Sequence, residues 1–144
     1  MAGFVDTVEQ AILNGLLQDG SWAGYATLWI GLSTTAPAEA GTGATEPSSG
    51  SYARVSTAAA DWGAASGTAP AVKSNTAVKT FPTATGDWSS GADMTHFGLW
   101  DASTAGNLVA FGTLTVAKPV LNGDTASFAA ASLVLKLGDP GDSY

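Results

Sequence analysis

The sequence predicts a mainly β protein: an antiparallel β-sandwich, or a small barrel, preceded by one N-terminal α-helix. Only residues 1–18 show a helical period of apolar side chains. From residue 20 to residue 137, short alternating runs are separated by Gly, Pro, Asn and Asp, which is typical of antiparallel strands. A length of 144 residues fits one domain, which we expect to span residues 1–144.

The predicted helix covers residues 3–17. Its apolar stripe consists of Phe4, Val5, Val8, Ala11, Ile12 and Leu16. Asp6 and Glu9 place negative charge in the first turns, where the helix dipole favours it, and Asp19-Gly20 provides a stop. An amphipathic helix of this kind buries its apolar stripe. We therefore expect the stripe to pack on the sandwich or on a neighbouring subunit.

The remaining elements are predicted to be strands. They cover residues 27–33, 52–57, 72–81, 94–101, 108–116, 125–128 and 132–137. In the first of them, Leu28, Ile30 and Leu32 share one face. The clearest hairpin joins the fourth and fifth strands across the turn at residues 102–107. About seven short strands indicate a sandwich or small barrel, and residues 138–144 form a loosely held polar tail.

Composition narrows the classes of partner. Charged residues make up only 12% of the chain, about half the usual share. A surface so poor in charge is prone to association, so we expect much of it to be covered by partner subunits. The net charge is −7 and the five Lys and Arg residues are scattered. Nucleic acid and anionic membranes both require a concentrated basic surface, so neither is predicted as a partner.

The sequence contains neither a cysteine nor a recognisable secretory signal. The chain has no cysteine, which excludes disulfides, thiol nucleophiles and cysteine-ligated zinc. The N-terminus lacks the basic region of a secretory signal, and no run of about 18 apolar residues is present. We expect synthesis in a cytosol and no membrane partner.

Candidate catalytic residues are few. His96 is the only histidine, and Asp101 falls on the opposite face of its strand. No GxSxG nucleophile elbow accompanies them. Asp87 and Asp93 suggest either a glycoside hydrolase pair or a calcium site. Asp in Gly-rich segments is also what turns require, and this interpretation is favoured. We predict no catalytic residue, no cofactor and no metal.

Five tryptophans are many for a chain of this length. Trp29 and Trp100 lie in predicted strands, so we expect them in the core or in a subunit interface. Trp62 and Trp88 lie in predicted loops. Exposed aromatic rings of this kind stack on sugar rings, so these two residues support an alternative function as a carbohydrate-binding module. Packing remains the favoured explanation for both.

Residues 34–50 form a long loop rich in Gly, Ala, Pro and Ser. Its glycines lack the strand, helix and Lys-Ser/Thr context of a nucleotide cradle. Glu46 and Arg54 bracket a turn and are spaced to form an ion pair that holds the base of the loop. If exposed, such a pair contributes at most about 1 kcal/mol.

Several segments together resemble a known family. They are LWIGLSTTAP, TEP, GSYARV, FPTATGDW, MTHFGLWDASTAGNLVAFGTLT and NGDTASFAAASLVLKL. The chain is similar over nearly its whole length to short bacteriophage virion structural proteins, described as tail-fibre-like, minor structural or capsid decoration proteins. The most specific matches are Tyr52-Ala53-Arg54, the Thr95 to Gly98 strand with Asp101 and Gly106-Asn107-Leu108, and Asn122-Gly123-Asp124.

The resemblance implies a non-enzymatic building block of the virion, made in the host bacterial cytoplasm. It implies other virion proteins as partners and symmetric assembly, for which a homotrimer is the expected form. The product would decorate a capsid or form part of a tail or head fibre. A pI of 4.2 favours the outside of the particle, away from packaged DNA. The predicted assembly residues are Phe4, Val8, Ile12, Leu16, Glu46, Tyr52 and Arg54, and the 34–50 loop is predicted to reach another chain.

Overall fold

The computed structural model describes residues 2–17, 24–67 and 71–137. Its elements in chain order are β1 (Ala2–Phe4), α1 (Asp6–Leu17), β2 (Thr27–Ser33), β3 (Val55–Ala58), β4 (Ala71–Ser74), β5 (Lys79–Thr80), β6 (Met94–Trp100), β7 (Leu108–Lys118), β8 (Ser127–Phe128) and β9 (Val134–Leu137). Two 3-10 turns lie at Ala59–Asp61 and Trp88–Gly91. The predicted helix stop at Asp19-Gly20 and the predicted tail at 138–144 lie outside the described residues.

All the strand pairs are antiparallel. One sheet has five strands in the order β1-β7-β6-β2-β3. Two ribbons, β4–β9 and β5–β8, contain two strands each. Within the described ranges the strands do not close into a barrel. The predicted fold class, mainly β and antiparallel with one N-terminal helix, is confirmed.

The main core lies between the five-stranded sheet and the two ribbons. Its buried side chains include Ile30, Leu32, Phe81, Trp88, Leu99 and Leu133. Phe97 of β6 meets Phe128 of β8 edge-to-face, with ring centroids 5.7 Å apart. This contact joins the two layers through an aromatic pair of favourable geometry.

The opposite face of the large sheet is also covered. Trp100, Leu108 and Val109 form a second buried cluster with Val5 and Val8 at the start of the helix. Successive strand residues point to opposite faces, so Leu99 enters the main core while Trp100 enters this second cluster. Helix α1 therefore packs on the sheet of its own chain.

The helix begins later than predicted, and Phe4 belongs to a strand. Ala2, Gly3 and Phe4 pair with Gly112, Phe111 and Ala110 of β7. The amide of Val5 then donates to the carbonyl of Val109 at 3.1 Å, before α1 begins at Asp6. The spacing of Phe4 from Val8 fits a helix, but residues 2–4 pair with the free edge of β7 and form a strand.

The predicted strand at 72–81 is two strands with a break at Asn75. The Asn75 side chain is buried, donates to the carbonyls of Ala77 and Ala129, and accepts from the amide of Leu133. These bonds are 2.7 to 2.9 Å long. A fully bonded buried amide fixes the direction change where an alternating pattern alone predicts continuation.

Candidate functional site around Arg54 and on helix α1

Arg54 is the centre of a network on the outer face of the sheet. Its Nε donates to both carboxylate oxygens of Glu46 at 3.0 and 3.1 Å, and Nη2 makes a further short bond to the same carboxylate. The guanidinium carbon lies 4.1 Å from the centroid of the Trp100 ring. Arg54 thus combines a charge-assisted pair with a cation–π contact, a combination that a lysine cannot reproduce.

Tyr52 completes the network from the side of the sheet. Its hydroxyl donates to Glu46 Oε1 at 2.6 Å and accepts from the amide of Leu32 at 2.9 Å. Burial, together with the hydrogen bond to Glu46, raises the pKa of the Tyr52 phenol. The protonated phenol is therefore the form that the folded protein stabilises.

The network also reaches the β6–β7 turn. Arg54 Nη1 donates to the carbonyls of Ala102 and Ala105, both at 2.8 Å. The turn is closed by Asp101, whose carboxylate accepts from the amide and side chain of Asn107. Gly106 has a φ of +73°, a conformation that glycine adopts without a Cβ penalty. Asp101 is thus a turn residue, because its side chain bonds to the local backbone.

These contacts correct one sequence-based expectation. The Glu46–Arg54 pair forms as predicted, but the side chains are only 20% and 8% exposed, so the pair is largely buried. A buried ion pair is stable only if hydrogen bonds offset the cost of removing its charges from water. The hydrogen bonds of Arg54 and Tyr52 described above contribute to that offset. Three segments that are separate in sequence therefore meet at the Arg54 network: TEP, SYAR and the β6–β7 turn.

A comparison with known protein families covers almost the whole chain. Residues 3–136 match the family model described as podophage GP4 fiber I protein gp80. The chain belongs to this family. No curated protein matches the chain.

Membership in the fibre I protein family identifies a bacteriophage fibre structural protein, and the predicted resemblance to phage virion structural proteins is confirmed. It indicates a non-enzymatic role, a place in the virion and contact with other virion proteins. No helix among the described residues is long and apolar enough to cross a membrane.

In this fibre-family chain the loop at residues 34–50 folds back on itself. The buried Ser33 hydroxyl accepts from the amide of Thr45 at 2.8 Å, and the amide of Thr34 donates to the carbonyl of Thr45 at 3.0 Å. The loop also contacts the helix, because the carbonyl of Glu39 accepts from the amide of Asp6 at 3.1 Å. Both ends of the loop are therefore tied to their own chain, and its reach to another chain stays a prediction.

The four predicted helix-stripe residues separate into different environments. Phe4 is half-buried in β1, Val8 is buried, and Ile12 packs partly against the second cluster. Leu16 is 72% exposed.

Two further exposed leucines, which are not among the predicted assembly residues, accompany Leu16: Leu13 at 56% and Leu17 at 76%. Positions 13, 16 and 17 lie on one side of a helix, beside the buried stripe. The signal in the sequence was the pair Leu13 and Leu17, which lie outside the predicted stripe but beside its member Leu16.

The two predicted stacking tryptophans also differ. Trp88 is fully buried, its indole N–H donates to the carbonyl of Gly50 at 2.9 Å, and its ring meets Tyr52 edge-to-face at 5.0 Å. It therefore cannot serve as a surface platform, and that part of the carbohydrate prediction is wrong. Trp62 is half-buried and donates to the Thr57 hydroxyl at 3.0 Å. With Tyr25 it lines an open pocket of about 230 Å³.

The remaining chemical candidates lie in turns or on strands. Asp87 accepts from the amide of Asn122 at 2.9 Å, so its carboxylate links two segments that are 35 residues apart rather than bonding to its own turn. Asp93 is exposed. His96 lies in β6, where Nδ1 is 2.8 Å from the Thr95 hydroxyl, and burial lowers the pKa of its ring. In the ranges described, no group of three or more His, Asp or Glu residues is placed to hold a metal ion.

Proposed function

We propose that this chain is a non-enzymatic structural subunit of a phage fibre and acts through symmetric self-association, with a homotrimer as the expected form. The family description names a fibre, which supports a fibre position over capsid decoration. The observation that carries the proposal is the exposed leucine patch of Leu13, Leu16 and Leu17. Three adjacent leucines exposed by 56 to 76% on one helix are costly in a lone molecule and favour a covered interface.

The geometry of the helix supports the leucine patch as a contact surface. The neighbouring stripe of α1 packs against the second cluster through Val8 and Ile12, so the patch is held in a defined orientation. A preorganised apolar surface loses little side-chain and backbone freedom on association. Residues 10–17 of α1 carry no charged side chain, which limits electrostatic repulsion between subunits at this surface.

The Arg54 network has a supporting role in this proposal. Glu46, Tyr52 and Arg54, which were predicted as interface residues, bind one another within the chain. They also border an open groove of about 420 Å³. We propose that their main contribution to assembly is to hold the loop and the β6–β7 turn rigid, and that any intersubunit contact at the groove is secondary.

The test is a double substitution, Leu16→Gln with Leu17→Gln, followed by mass measurement with size-exclusion chromatography and light scattering. Point changes are preferable to deletion of the N-terminus, because β1 and Val8 belong to the folded core. At low protein concentration we expect a trimer for the natural chain and a monomer with unchanged circular dichroism for the variant. Val78→Gln is the matched control, since Val78 is 56% exposed in the segment between β4 and β5. An unchanged mass in the leucine variant rejects the proposed interface.

Location on the particle needs a separate measurement. Gold-labelled antibodies against the chain should mark fibres in electron micrographs of purified virions. Uniform labelling of the capsid shell would reject the fibre position and favour decoration.

The alternative function, carbohydrate binding for recognition of the host surface, retains one supporting observation. Trp62 and Tyr25 line the same open pocket, with the Lys73 side chain also at its wall. Two aromatic rings and a cation provide stacking and polar contacts of the kind that a sugar uses. Glycan-array binding that is lost in Trp62→Ala but kept in Trp29→Ala would support this function. Absence of binding by the natural chain would reject it.

A further inference from the structure

Strand β7 extends beyond its neighbours. It runs for 11 residues, yet β1 pairs only with its Ala110 to Gly112 portion. On the other side, the register with β6 passes from Thr113 opposite His96 directly to Lys118 opposite Met94. Residues 114–117 therefore form an irregularity in β7 opposite the single β6 residue Thr95, and they have no register partner in the part of the chain that the structure describes. This leaves a short length of extended backbone with hydrogen-bonding capacity at the margin of the sheet.

An open cavity lies beside this segment. It has a volume of about 410 Å³ between β7 and β8. Leu114, Val116 and Lys118 line it from β7, and its floor includes the buried core residues Phe81 and Met94. The sandwich is thus open on this side. Val116, which is 62% exposed, stands at the opening.

The composition of the segment is unusual for an unprotected edge. Natural edge strands are commonly blocked by lysine, proline or inward-pointing charge. Residues 113–117 read Thr-Leu-Thr-Val-Ala and carry no charge. Three of the five are β-branched residues that favour strands, and the other two, Leu114 and Ala117, are apolar. The blocking residues Lys118 and Pro119 come only after them. Because residues 113–117 carry no charge, two copies of this segment can meet without placing carboxylates face to face.

We propose that residues 113–117 pair with the same residues of a second copy of this chain, antiparallel about a two-fold axis at Thr115. The pattern is self-complementary in this register. Leu114 lies opposite Val116 of the copy, so the apolar side chains match on the cavity side, while Thr113 lies opposite Ala117 on the other face. A one-residue slip would place apolar side chains opposite polar ones, which disfavours it. The added strand would cover the open side of the sandwich in both copies.

This contact uses a surface different from the leucine patch. It rests on the proposed function only in assuming self-association, and it adds a two-fold contact to the trimer contact. A three-fold contact and a separate two-fold contact on one subunit together allow an assembly to extend beyond a closed ring. That property suits a fibre built from short subunits.

Disulfide trapping tests the register directly, because the natural chain has no cysteine. Directly opposed residues of antiparallel strands have Cα atoms about 4.5 to 5.5 Å apart, which is within the range that a disulfide spans. Thr115→Cys should therefore give a covalent dimer under mild oxidation on non-reducing gels. Thr113→Cys alone should remain uncrosslinked, while a mixture of Thr113→Cys and Ala117→Cys chains should form a crosslinked pair.

A second experiment separates this inference from the proposed function. In the Leu16→Gln, Leu17→Gln background, the edge contact alone should yield dimers at high concentration, and adding Val116→Lys should abolish them. Val78→Lys is the control for an added surface cation. If the leucine variant is monomeric and Thr115→Cys fails to crosslink, the edge pairing is wrong while the leucine interface stands. If Thr115→Cys links to a different protein in virions but not to itself, the second-copy assignment is overturned.

Discussion

Gly31 of β2 lies directly opposite Gly98 of β6, and the ring of Trp100 covers both residues. A Cβ atom placed at either position would lie 2.7 Å from Trp100 Cζ3. The paired glycines thus form a shallow track in the outer face of the sheet. The indole occupies this track and supports the guanidinium of Arg54 above it. Neither glycine needs a left-handed backbone here, so the requirement is space alone.

The first prediction concerns this track. Gly98→Ala should destabilise the fold by about 1 to 3 kcal/mol, because the added methyl group overlaps Trp100 and Leu108 and forces both side chains to shift. Urea denaturation followed by circular dichroism gives the change in unfolding free energy. Gly3→Ala in β1 is the control, since nothing lies within 4 Å of its Cβ position. Equal stability of the two variants would show that the track is not required.

The second prediction concerns the ion pair. Arg54→Met should cost about 2 to 4 kcal/mol, because it leaves the partly buried Glu46 carboxylate without its countercharge. Arg54→Lys should recover only part of this loss, since lysine lacks the planar fork that contacts carboxylate, ring and turn together. Chemical denaturation measures both. Lys136→Met, on the exposed side of β9, should change stability by no more than about 0.5 kcal/mol. Full recovery with lysine would contradict the geometric argument.

The third prediction is a pH dependence from Tyr52. Its pKa in the folded state is raised above the ordinary value of 10.0, because burial and the bond to Glu46 favour the neutral phenol. The stability contributed by Tyr52 is therefore fully present below pH 10 and is lost as the pH rises above it. In the natural chain, the denaturation midpoints should decrease as the pH rises from about 8 to about 11, a range that roughly brackets the ordinary tyrosine pKa. They should fall less in Tyr52→Phe. The same decline in both proteins would exclude this cause.

The fourth prediction separates the two loop tryptophans. Trp88→Ala should cost about 3 to 5 kcal/mol, because it removes a fully buried ring from the main core. Trp62→Ala should cost clearly less, since that ring is only half-buried. Thermal unfolding of the two variants under the same conditions makes the comparison. A larger loss for Trp62 would contradict the burial that the structure shows.

Local pattern predicted much of the sheet. The strand predicted at 27–33 is observed at Thr27–Ser33, and the predicted hairpin is observed as Met94–Trp100 and Leu108–Lys118. These strands have alternating or continuous apolar residues bounded by turn residues, so their identity depends on neighbours in sequence. The Glu46–Arg54 pair was also predictable, because both residues bracket one turn.

Other features depend on residues far apart in sequence. Phe4 becomes part of a strand because β7 offers it a partner more than 100 residues away. Asn75 ends a strand because its amide reaches Ala129 and Leu133. Trp88 lies in a predicted loop, but its ring packs against Tyr52 and is fully buried.

The sequence by itself determined the fold class, the family and the absence of cysteine chemistry, because these follow from composition, short-range period and motif spelling. Only the tertiary structure decided how residues 28–55, which include most of β2 and the 34–50 loop, pack against the rest of the chain. Glu46, Tyr52 and Arg54, which were predicted as interface residues, form a largely buried network over Trp100 in the folded chain. The fold also leaves the helix leucines and the end of β7 exposed. Burial is a property of how distant segments meet, and no local pattern specifies it.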